Sequence, residues 1–366
     1  MSALATKKML TSYFEQRRVT GYYSGMFTAA PENFYESESV ELDIMRSGDD
    51  VAIVVDEIST GYRLNSFDDF VNKEFIAPVY KEAITLNSFE LLKRSFGDNP
   101  FEQTGFRAKI IQKAFAGMLA IENKIRRSIE LQASQVLQTG TVSLTDAAGL
   151  VRYNINYAPK ATHFPTAGVS WATATLAQKI GDLTALCEVI QNDCGAPVDE
   201  LTFGAVAWEN FLQTTGVLSP RLDTSRANLG SITPLSRRGD GGIYRGTLEL
   251  GNYKVDIYTT DGRYKNPATG TTTPYTAPGK VVARASAVSD FRATFGAIPN
   301  IGKELGVKRP ILPEMPTRMA STGMRIDLHT NVWLSDDGEQ LHAGVGSRPL
   351  MIPTSIDTFG ALTTQL

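Results

Sequence analysis

The sequence has few of the side chains that most enzyme and metal sites require. Its 366 residues include only two cysteines and three histidines. Cys187 and Cys194 cannot form a disulfide framework, and their spacing places both on the buried face of one predicted helix. The histidines, His163, His329 and His342, lie far apart in the sequence and belong to no metal-ligand motif. We therefore expect no catalytic residues, no metal site and no cofactor.

The sequence also lacks a long apolar run and an excess of charge of one sign. No run approaches the roughly 18 apolar residues that a membrane-spanning helix needs. Lys and Arg number 36 and Asp and Glu 39, a formal net charge of −3, so tight nucleic-acid binding is not indicated. Two lysines near the start precede no apolar segment, which argues against a secretory signal. With two reduced thiols, the composition is that of a soluble cytoplasmic protein.

Two further features could suggest a ligand site but have simpler explanations. Asp68, Asp69 and Glu74 cluster near the tip of a predicted hairpin, without the regular ligand spacing of a calcium loop. The glycine-rich stretch 239–242 follows two arginines, but no strand–loop–helix frame surrounds it as in a phosphate-binding loop. We interpret the first as a solvated acidic rim and the second as a flexible loop.

The first hundred residues carry many aromatic side chains but show no pattern of a core of their own. Residues 3–17 predict an amphipathic helix, and residues 51–59 and 75–86 predict the two strands of a long hairpin. Aromatic side chains on such arms are expected to be buried against another chain. The candidate contact residues are Tyr13, Phe14, Tyr22, Tyr23 and Phe27 in the N-terminal segment, and Tyr62, Phe67, Phe70, Val71 and Phe75 in the hairpin.

A long amphipathic helix is predicted from residue 103 to residue 138, about 54 Å at 1.5 Å per residue. Apolar residues recur every three or four positions, at Phe106, Ile110, Ala114, Met118, Ile121, Ile125, Ile129 and Val136. A second row, Ile111, Phe115 and Leu119, widens this stripe. Gly140 is a plausible C-terminal stop. Basic residues alternate with Glu122 and Glu130, which indicates a solvated face or subunit contacts.

The remaining sequence alternates short strands with two further helices. A helix is predicted over 172–194, with Leu176, Ile180, Leu183, Cys187, Ile190 and Cys194 as its buried stripe. A strand at 199–204, a short helix at 207–214 and a hairpin turning at Gly251 and Asn252 follow. Prolines at 299, 310, 313 and 316 favour an extended strap over a regular element. The chain is therefore expected to have an α+β fold.

The order of these elements resembles that of tailed-phage major capsid proteins of the Hong Kong 97 fold, and most closely the phage lambda major head protein family. The stretches that carry the resemblance include "AIVVDEISTGYRL", "EFIAPVYKEAITLN", "RAKIIQKAFAGMLAIENKIRRSIELQASQVLQTGTVSL", "IYRGTLELGNYKVDIYTTDGRY" and "RPLMIPTSIDTF". No single motif is decisive, but their joint order covers nearly the whole chain. The resemblance implies a structural protein that is not an enzyme.

The resemblance also implies a division of the chain. It assigns residues 1–47 to an N-terminal arm, 48–92 to an extended loop, 93–171 to a peripheral domain with a spine helix at about 100–139, 172–284 to an axial domain, and 285–366 to a return to the peripheral domain. The long helix would then brace a flat subunit. Some members crosslink a loop lysine to a neighbouring subunit, and Lys73 lies near the hairpin tip, but lambda-like members generally rely on decoration proteins.

The implied partners are other copies of the chain in hexamers and pentamers, a portal protein, a separate scaffolding protein, decoration proteins and packaged double-stranded DNA held nonspecifically. No membrane is involved, and the implied location is the virion, after assembly in the host cytoplasm. Two alternatives remain. One is an encapsulin-like nanocompartment shell of the same fold, and the other is an α+β enzyme of unknown type.

Overall fold

The computed structural model describes residues 21–30, 33–35, 39–44, 71–87, 106–146, 148–214, 222–223, 241–298, 327–335 and 339–364. These residues contain three α-helices, α1 (Phe106–Thr139), α2 (Leu176–Cys194) and α3 (Ala205–Leu212). They also contain eighteen strands: β1 (Phe34–Tyr35), β2 (Ser39–Ile44), β3 (Val71–Ile76), β4 (Tyr80–Asn87), β5 (Thr141–Thr145), β6 (Val151–Asn156), β7 (Glu200–Phe203), β8 (Leu222–Asp223), β9 (Gly242–Leu250), β10 (Tyr253–Thr260), β11 (Arg263–Lys265), β12 (Thr272–Pro274), β13 (Lys280–Arg284), β14 (Phe291–Gly296), β15 (His329–Leu334), β16 (Gln340–Ser347), β17 (Pro349–Pro353) and β18 (Phe359–Thr363). The predicted α+β class is confirmed.

Helix α1 is the predicted long helix, and its apolar stripe forms the centre of one hydrophobic core. Six of the predicted positions are buried: Ala114, Met118, Ile121, Ile125, Ile129 and Val136. The helix ends at Gly140, whose φ of 64° lies in the left-handed region and whose N–H bonds to the carbonyl of Val136. Leu119, expected to widen the stripe, is instead 51% exposed. We call the core along α1 the spine core.

A six-stranded sheet, in the order β18-β13-β7-β10-β9-β8, is covered on both of its faces. Because side chains alternate along a strand, neighbouring residues enter different cores. Val281 packs with α2 and α3, whereas Val282 on the same strand belongs to the spine core. Ile257 and Tyr258 divide in the same way. The sheet therefore separates the spine core from a second core, which we call the sheet core.

Helix α2 covers the sheet core and begins later than expected. Thr175 and Gln178 form a reciprocal capping box, so the helix begins at Leu176, and residues 171–173 form a turn before it. Leu183, Cys187 and Ile190 are buried as predicted. Lys179 is also buried, and its ammonium donates hydrogen bonds to the carbonyl of Asn210 and the hydroxyl of Thr214 at 2.8 and 2.6 Å. These bonds join α2 to the end of α3.

The C-terminal end of α1 is joined to the loop before β13 by polar contacts. The Gln138 amide donates to the carbonyl of Tyr275 and accepts from the N–H of Ala277, both at 2.8 Å. The Lys280 ammonium donates to the carbonyl of Gln138 at 2.9 Å, where the helix dipole favours a cation. Burial lowers the pKa of Lys280. The spine helix is therefore fixed to the six-stranded sheet at one end.

The second strand of the predicted hairpin, residues 75–86, does not form as one strand. The second run is broken at Pro78, which has no N–H for a sheet hydrogen bond. Residues 71–76 form β3, which pairs with β2, while residues 80–87 form β4, which pairs with β16. Residues 51–59 lie outside the described residues. The two-stranded ribbon therefore begins at Ser39, within the segment expected to be an arm.

Smaller sheets complete the described fold. The spine core is closed by the sheets β1-β14-β17 and β15-β16-β4, and β16 was not predicted. The pairs β5–β6 and β11–β12 are two-stranded, and β9 and β10 join at the predicted turn, where Gly251 has a φ of 61°. The proline-rich segment 299–316 lies outside the described residues.

We predict that Gly204→Ala destabilises the subunit by about 1–3 kcal/mol, because a Cβ at this position would lie 2.2 Å from the carbonyl oxygen of Ala277. Gly168→Ala is the matched control, since its Cβ would meet no atom within 4 Å, and its effect should stay within about 0.5 kcal/mol. Urea unfolding measures both variants. Equal stability of the two would contradict the close approach at Gly204.

Candidate functional site

The N-terminal segment, residues 21–35, is fixed to α1 by a buried carboxylate. Glu130 is 1% exposed, and its two oxygens accept the backbone N–H groups of Tyr23 and Ser24, each at 2.8 Å. These N–H groups lie at the start of a single 3-10 turn, Ser24–Met26, where a negative charge is stabilising. A buried carboxylate is costly unless it is hydrogen-bonded. The face expected to be solvated or to make subunit contacts therefore does not include Glu130.

Two tyrosines of the same segment bind the six-stranded sheet and the loop that precedes its strand β13. The Tyr22 hydroxyl lies 2.8 Å from the Thr202 hydroxyl, and the Tyr23 hydroxyl lies 2.6 Å from that of Thr276. The two tyrosine rings meet edge to face at 5.2 Å. Burial raises the pKa of Tyr23 well above its ordinary value, so its hydroxyl stays neutral. The segment is thus held by both polar and aromatic contacts.

Backbone pairing continues this attachment toward β1. Thr28 forms a parallel bridge with Arg292, and Phe34 and Tyr35 pair in parallel with Phe295 and Gly296 of β14. The described part of the N-terminal segment is therefore an edge of this chain's own sheet.

Four of the predicted contact residues are buried within the chain itself. Tyr22, Tyr23, Phe27 and Phe75 are between 1% and 6% exposed. The Phe27 ring lies 5.3 Å from that of Phe291, and the Phe75 ring 5.0 Å from that of Tyr157. Their burial within one chain does not support the expected contact with a neighbouring chain, which stays a prediction. Their aromatic character indicated burial, but it did not indicate which chain provides the partner.

Of the other predicted contact residues, only Val71 lies within the described residues. Tyr13, Phe14, Tyr62, Phe67 and Phe70 lie outside the described residues. Val71 begins strand β3. Contact of these residues with a neighbouring chain stays a prediction.

The ribbon of β2 and β3 has an exposed face of unusual composition. Glu41 and Glu74 are directly opposite each other, a like-charge pair that destabilises an isolated ribbon. Ile76, two residues further along this face, is 52% exposed. The Lys73 ammonium reaches the carbonyl of Asn156 at 3.4 Å. The base of the ribbon is therefore anchored to the subunit, while its acidic face is left to solvent.

Large apolar side chains are also exposed elsewhere in the described residues. Each is at least 41% exposed. They are Ile76, Val79, Leu119, Leu150, Val151, Val169, Val288 and Leu334. Scattered single side chains of this kind are ordinary on a monomer, but Leu150 and Val151 are adjacent, at 60% and 56%.

A buried histidine joins three segments near the sheet core. His163 is 1% exposed, with Nδ1 2.8 Å from the carbonyl oxygen of Phe359 and Nε2 2.7 Å from a carboxylate oxygen of Asp193. Both ring nitrogens therefore have a hydrogen-bond partner within this chain. The Lys160 ammonium lies 2.8 Å from the other oxygen of Asp193. The cluster is structural, and sequence reasoning gave His163 no role.

The other residues that commonly carry chemistry are dispersed. Within the part of the chain that the structure describes, no group of three His, Cys, Asp or Glu side chains could hold a metal ion. His342 stacks on Trp333 at 5.2 Å. Cys187 is buried, and this burial raises the pKa of its thiol to about 12. None of the helices in the described ranges is long and apolar enough to cross a bilayer.

The sequence matches the family model described as phage major capsid protein E over residues 6–364. The chain belongs to this family. The resemblance to tailed-phage major capsid proteins is thereby confirmed, and the protein is a major capsid protein, a structural component of the virion. No curated protein matches the sequence.

The described fold is also similar to solved capsid structures. A protein described as a prophage capsid protein of Escherichia coli CFT073 is 14% identical, with a TM-score of 0.61 over 94% of this chain and 93% of that one. The Ralstonia phage GP4 capsid is 12% identical, with a TM-score of 0.48 over 99% and 92%. The SrpI encapsulin of Synechococcus elongatus PCC 7942 is 9% identical, with a TM-score of 0.46 over 98% and 92%. The capsid subunit has the Hong Kong 97 fold.

Adjacent residues of β3 should separate folding from assembly in this capsid subunit. We predict that Phe75→Ala lowers the free energy of unfolding by about 3–5 kcal/mol, because it leaves a cavity against Tyr157. Ile76→Ala, at a 52% exposed position, should change it by less than about 0.5 kcal/mol. Urea unfolding of dissociated subunits measures both. A mild effect of Phe75→Ala would mean that its ring is not buried within its own chain.

The Asp193 cluster predicts a pH-dependent contribution to stability. Burial alone would raise the pKa of Asp193, but hydrogen bonds from Lys160 and His163 outweigh it and lower the pKa. The ionised carboxylate therefore stabilises the fold at pH values above the unfolded pKa of about 3.9, and this contribution is lost as the pH falls through the folded pKa. The natural subunit should unfold at a higher midpoint temperature than Asp193→Asn at neutral pH, and this difference in midpoint temperature should shrink in acid. A difference that stays constant down to about pH 3 would exclude this assignment.

Proposed function

We propose that this subunit assembles into hexamers and pentamers that close an icosahedral shell around the double-stranded DNA of a tailed phage. The family match across nearly the whole chain is the observation that carries the proposal. In such rings one patch of a subunit meets a different patch of its neighbour. Many weak contacts of this kind make a closed shell far more stable than any single pair.

The distribution of the two cores supports the expected division of the chain in part, because residues 172–284 supply most of the sheet core but also Tyr258 and Val282 of the spine core. Residues from about 172 to 284 would form the axial domain around the sheet core, and residues 93–171 and 285–366 the peripheral domain around the spine core. The spine helix α1 supports both of these proposed domains, because it packs against six strands. These strands are β4, β5, β13, β16, β17 and β18. Residues 1–47 and 48–92 would supply the arm and the extended loop, although the described ribbon begins at Ser39.

The ribbon supports a role for the extended loop in contacting a neighbour. An isolated two-stranded ribbon is marginally stable, and the opposed pair Glu41 and Glu74 weakens it further. A partner that covers the exposed face would offset both deficits. A Lys73 crosslink is not supported, because its ammonium lies 3.4 Å from the carbonyl of Asn156 in the same chain.

The remaining partners follow from the same proposal. A portal, a separate scaffolding protein and decoration proteins would act in host-cytoplasmic assembly, and the subunit would have no enzymatic activity. Contact with packaged DNA would be nonspecific, and it would also be weak, because a net charge of −3 is unsuited to the phosphate neutralisation that tight binding needs.

Negative-stain electron microscopy and light scattering of the purified protein test the proposal. We expect closed particles from the natural chain, and a more than tenfold lower particle yield from Ile76→Asp, because a charge on the ribbon's exposed face obstructs its burial. Val288→Asp, 42% exposed and outside the ribbon, is the control for a new surface charge. Circular dichroism checks that each variant folds.

The content of the particles separates the alternatives. Double-stranded DNA inside particles supports a phage shell, whereas enclosed protein without nucleic acid supports a nanocompartment. A stable monomer that forms no oligomer by light scattering would contradict the proposal.

A further inference from the structure

Two carboxylates share one arginine where the start of β15 meets α1. Glu122 and Arg126 lie one turn apart on α1, and Asp327 lies just before β15. Arg126 binds one oxygen of Glu122 closely, with Nε at 2.8 Å and Nη2 at 2.7 Å. The same Nη2 lies 3.4 Å from Oδ2 of Asp327. The guanidinium therefore neutralises Glu122 well and leaves Asp327 with the weaker contact.

The Asp327 carboxylate has little else to stabilise its charge. Only 22% of its side chain is exposed, and its Oδ1 is buried with no hydrogen-bond partner among the residues that the structure describes. Burial raises the pKa of Asp327 above its ordinary value, and the attraction of Arg126, opposed by the repulsion of Glu122, does not cancel this rise. The carboxyl group therefore binds a proton at a higher pH than an ordinary aspartate does.

The other neighbours of Asp327 contact its backbone or lie further along the chain. From β16, the Ser347 hydroxyl donates to the backbone carbonyl of Asp327 at 2.6 Å. The next residue, Arg348, directs its Nε to the carbonyl of Ala77 at 3.5 Å. On the same element, the next titratable residue is His329, which begins β15. Within the described residues, the charges that act on Asp327 are therefore the two on α1.

Strand β15 is suited to local opening. It is an outer strand of the sheet β15-β16-β4, where it pairs with β16. None of its six residues is buried. Leu328, just before the strand, is 5% exposed and belongs to the spine core. The contacts of Asp327 and Leu328 therefore attach the start of a strand that has little buried surface of its own.

We propose that Asp327 forms a pH-sensitive contact between α1 and β15, which weakens when the carboxylate is ionised and strengthens when it is protonated. In the ionised state two negative charges face one guanidinium, and the buried Oδ1 has no partner. Protonation removes both the repulsion by Glu122 and the cost of the buried charge. Opening of β15 would leave the backbone groups of β16 unpaired on that side, an edge to which another strand can add. The inference concerns the single subunit and does not depend on the proposed shell.

The pH dependence of unfolding tests the sign of this effect. Because the folded pKa of Asp327 lies above the unfolded value, its ionisation lowers the stability at neutral pH, and this loss disappears as the pH falls to about 4. Asp327→Asn should therefore unfold at a higher midpoint temperature than the natural subunit at neutral pH, and the difference should vanish in acid. In a Glu122→Gln background this gain should be smaller, because the repulsion is already absent. Asp193→Asn is the matched control, since it should lower the midpoint at neutral pH.

Amide hydrogen exchange of the full-length subunit tests the strand itself. After correction for the intrinsic effect of pH on exchange, the protection of the β15 amides in the natural subunit should rise severalfold between neutral pH and about pH 4. In Asp327→Asn the protection should already be high at neutral pH. The amides of α2, which lies in the sheet core, are the internal control and should show no such difference between the two proteins.

The outcomes separate this inference from a purely structural role. A gain in midpoint temperature that vanishes in acid, together with β15 protection that follows the same course, supports the proposal. A lower midpoint for Asp327→Asn at neutral pH, or a difference that does not change with pH, overturns it and makes Asp327 an ordinary ion-pair partner of Arg126. Unchanged β15 protection likewise overturns it. Failure of the natural chain to form particles contradicts the proposed function alone.

Discussion

The six-stranded sheet must be covered on both faces, and the rest of the described structure follows from this constraint. Helices α2 and α3 cover the face that contains Ile257 and Val281. On the other face, Tyr258 and Val282 require a second cover, which α1 and the N-terminal segment provide. The Glu130 carboxylate links these two covering elements through the N–H groups of Tyr23 and Ser24. One sheet thus joins the beginning, the middle and the end of the chain.

This arrangement divides the apolar surface of a capsid subunit into two classes. Side chains such as Phe27 and Phe75 complete the chain's own core and have almost no surface left for a neighbour. Side chains such as Leu119 and Leu150 remain exposed to solvent. A shell-forming protein needs both classes, because it must fold as a single chain and still retain surfaces for its copies. The attachment of the N-terminal segment belongs to folding.

Much of the fold could be predicted from local patterns. The apolar stripe of α1 could be predicted because it follows helical periodicity. The end of α1 at Gly140 and the turn at Gly251 could be predicted because glycine is favoured in the left-handed conformation. Strand pairing was harder, because Pro78 divides one apolar run between β3 and β4 in different sheets. The polar anchors could not be found at all. Glu130 and His163 depend on partners 107 and 196 residues away, at Tyr23 and Phe359.

The most direct test of this division is a reconstruction of assembled particles by electron cryomicroscopy at side-chain resolution. The account predicts that Tyr22, Tyr23, Phe27 and Phe75 contact residues of their own chain, while exposed side chains such as Ile76 and Leu150 are covered by another copy. A shell in which the N-terminal segment leaves Glu130 and inserts into a neighbouring subunit would contradict it.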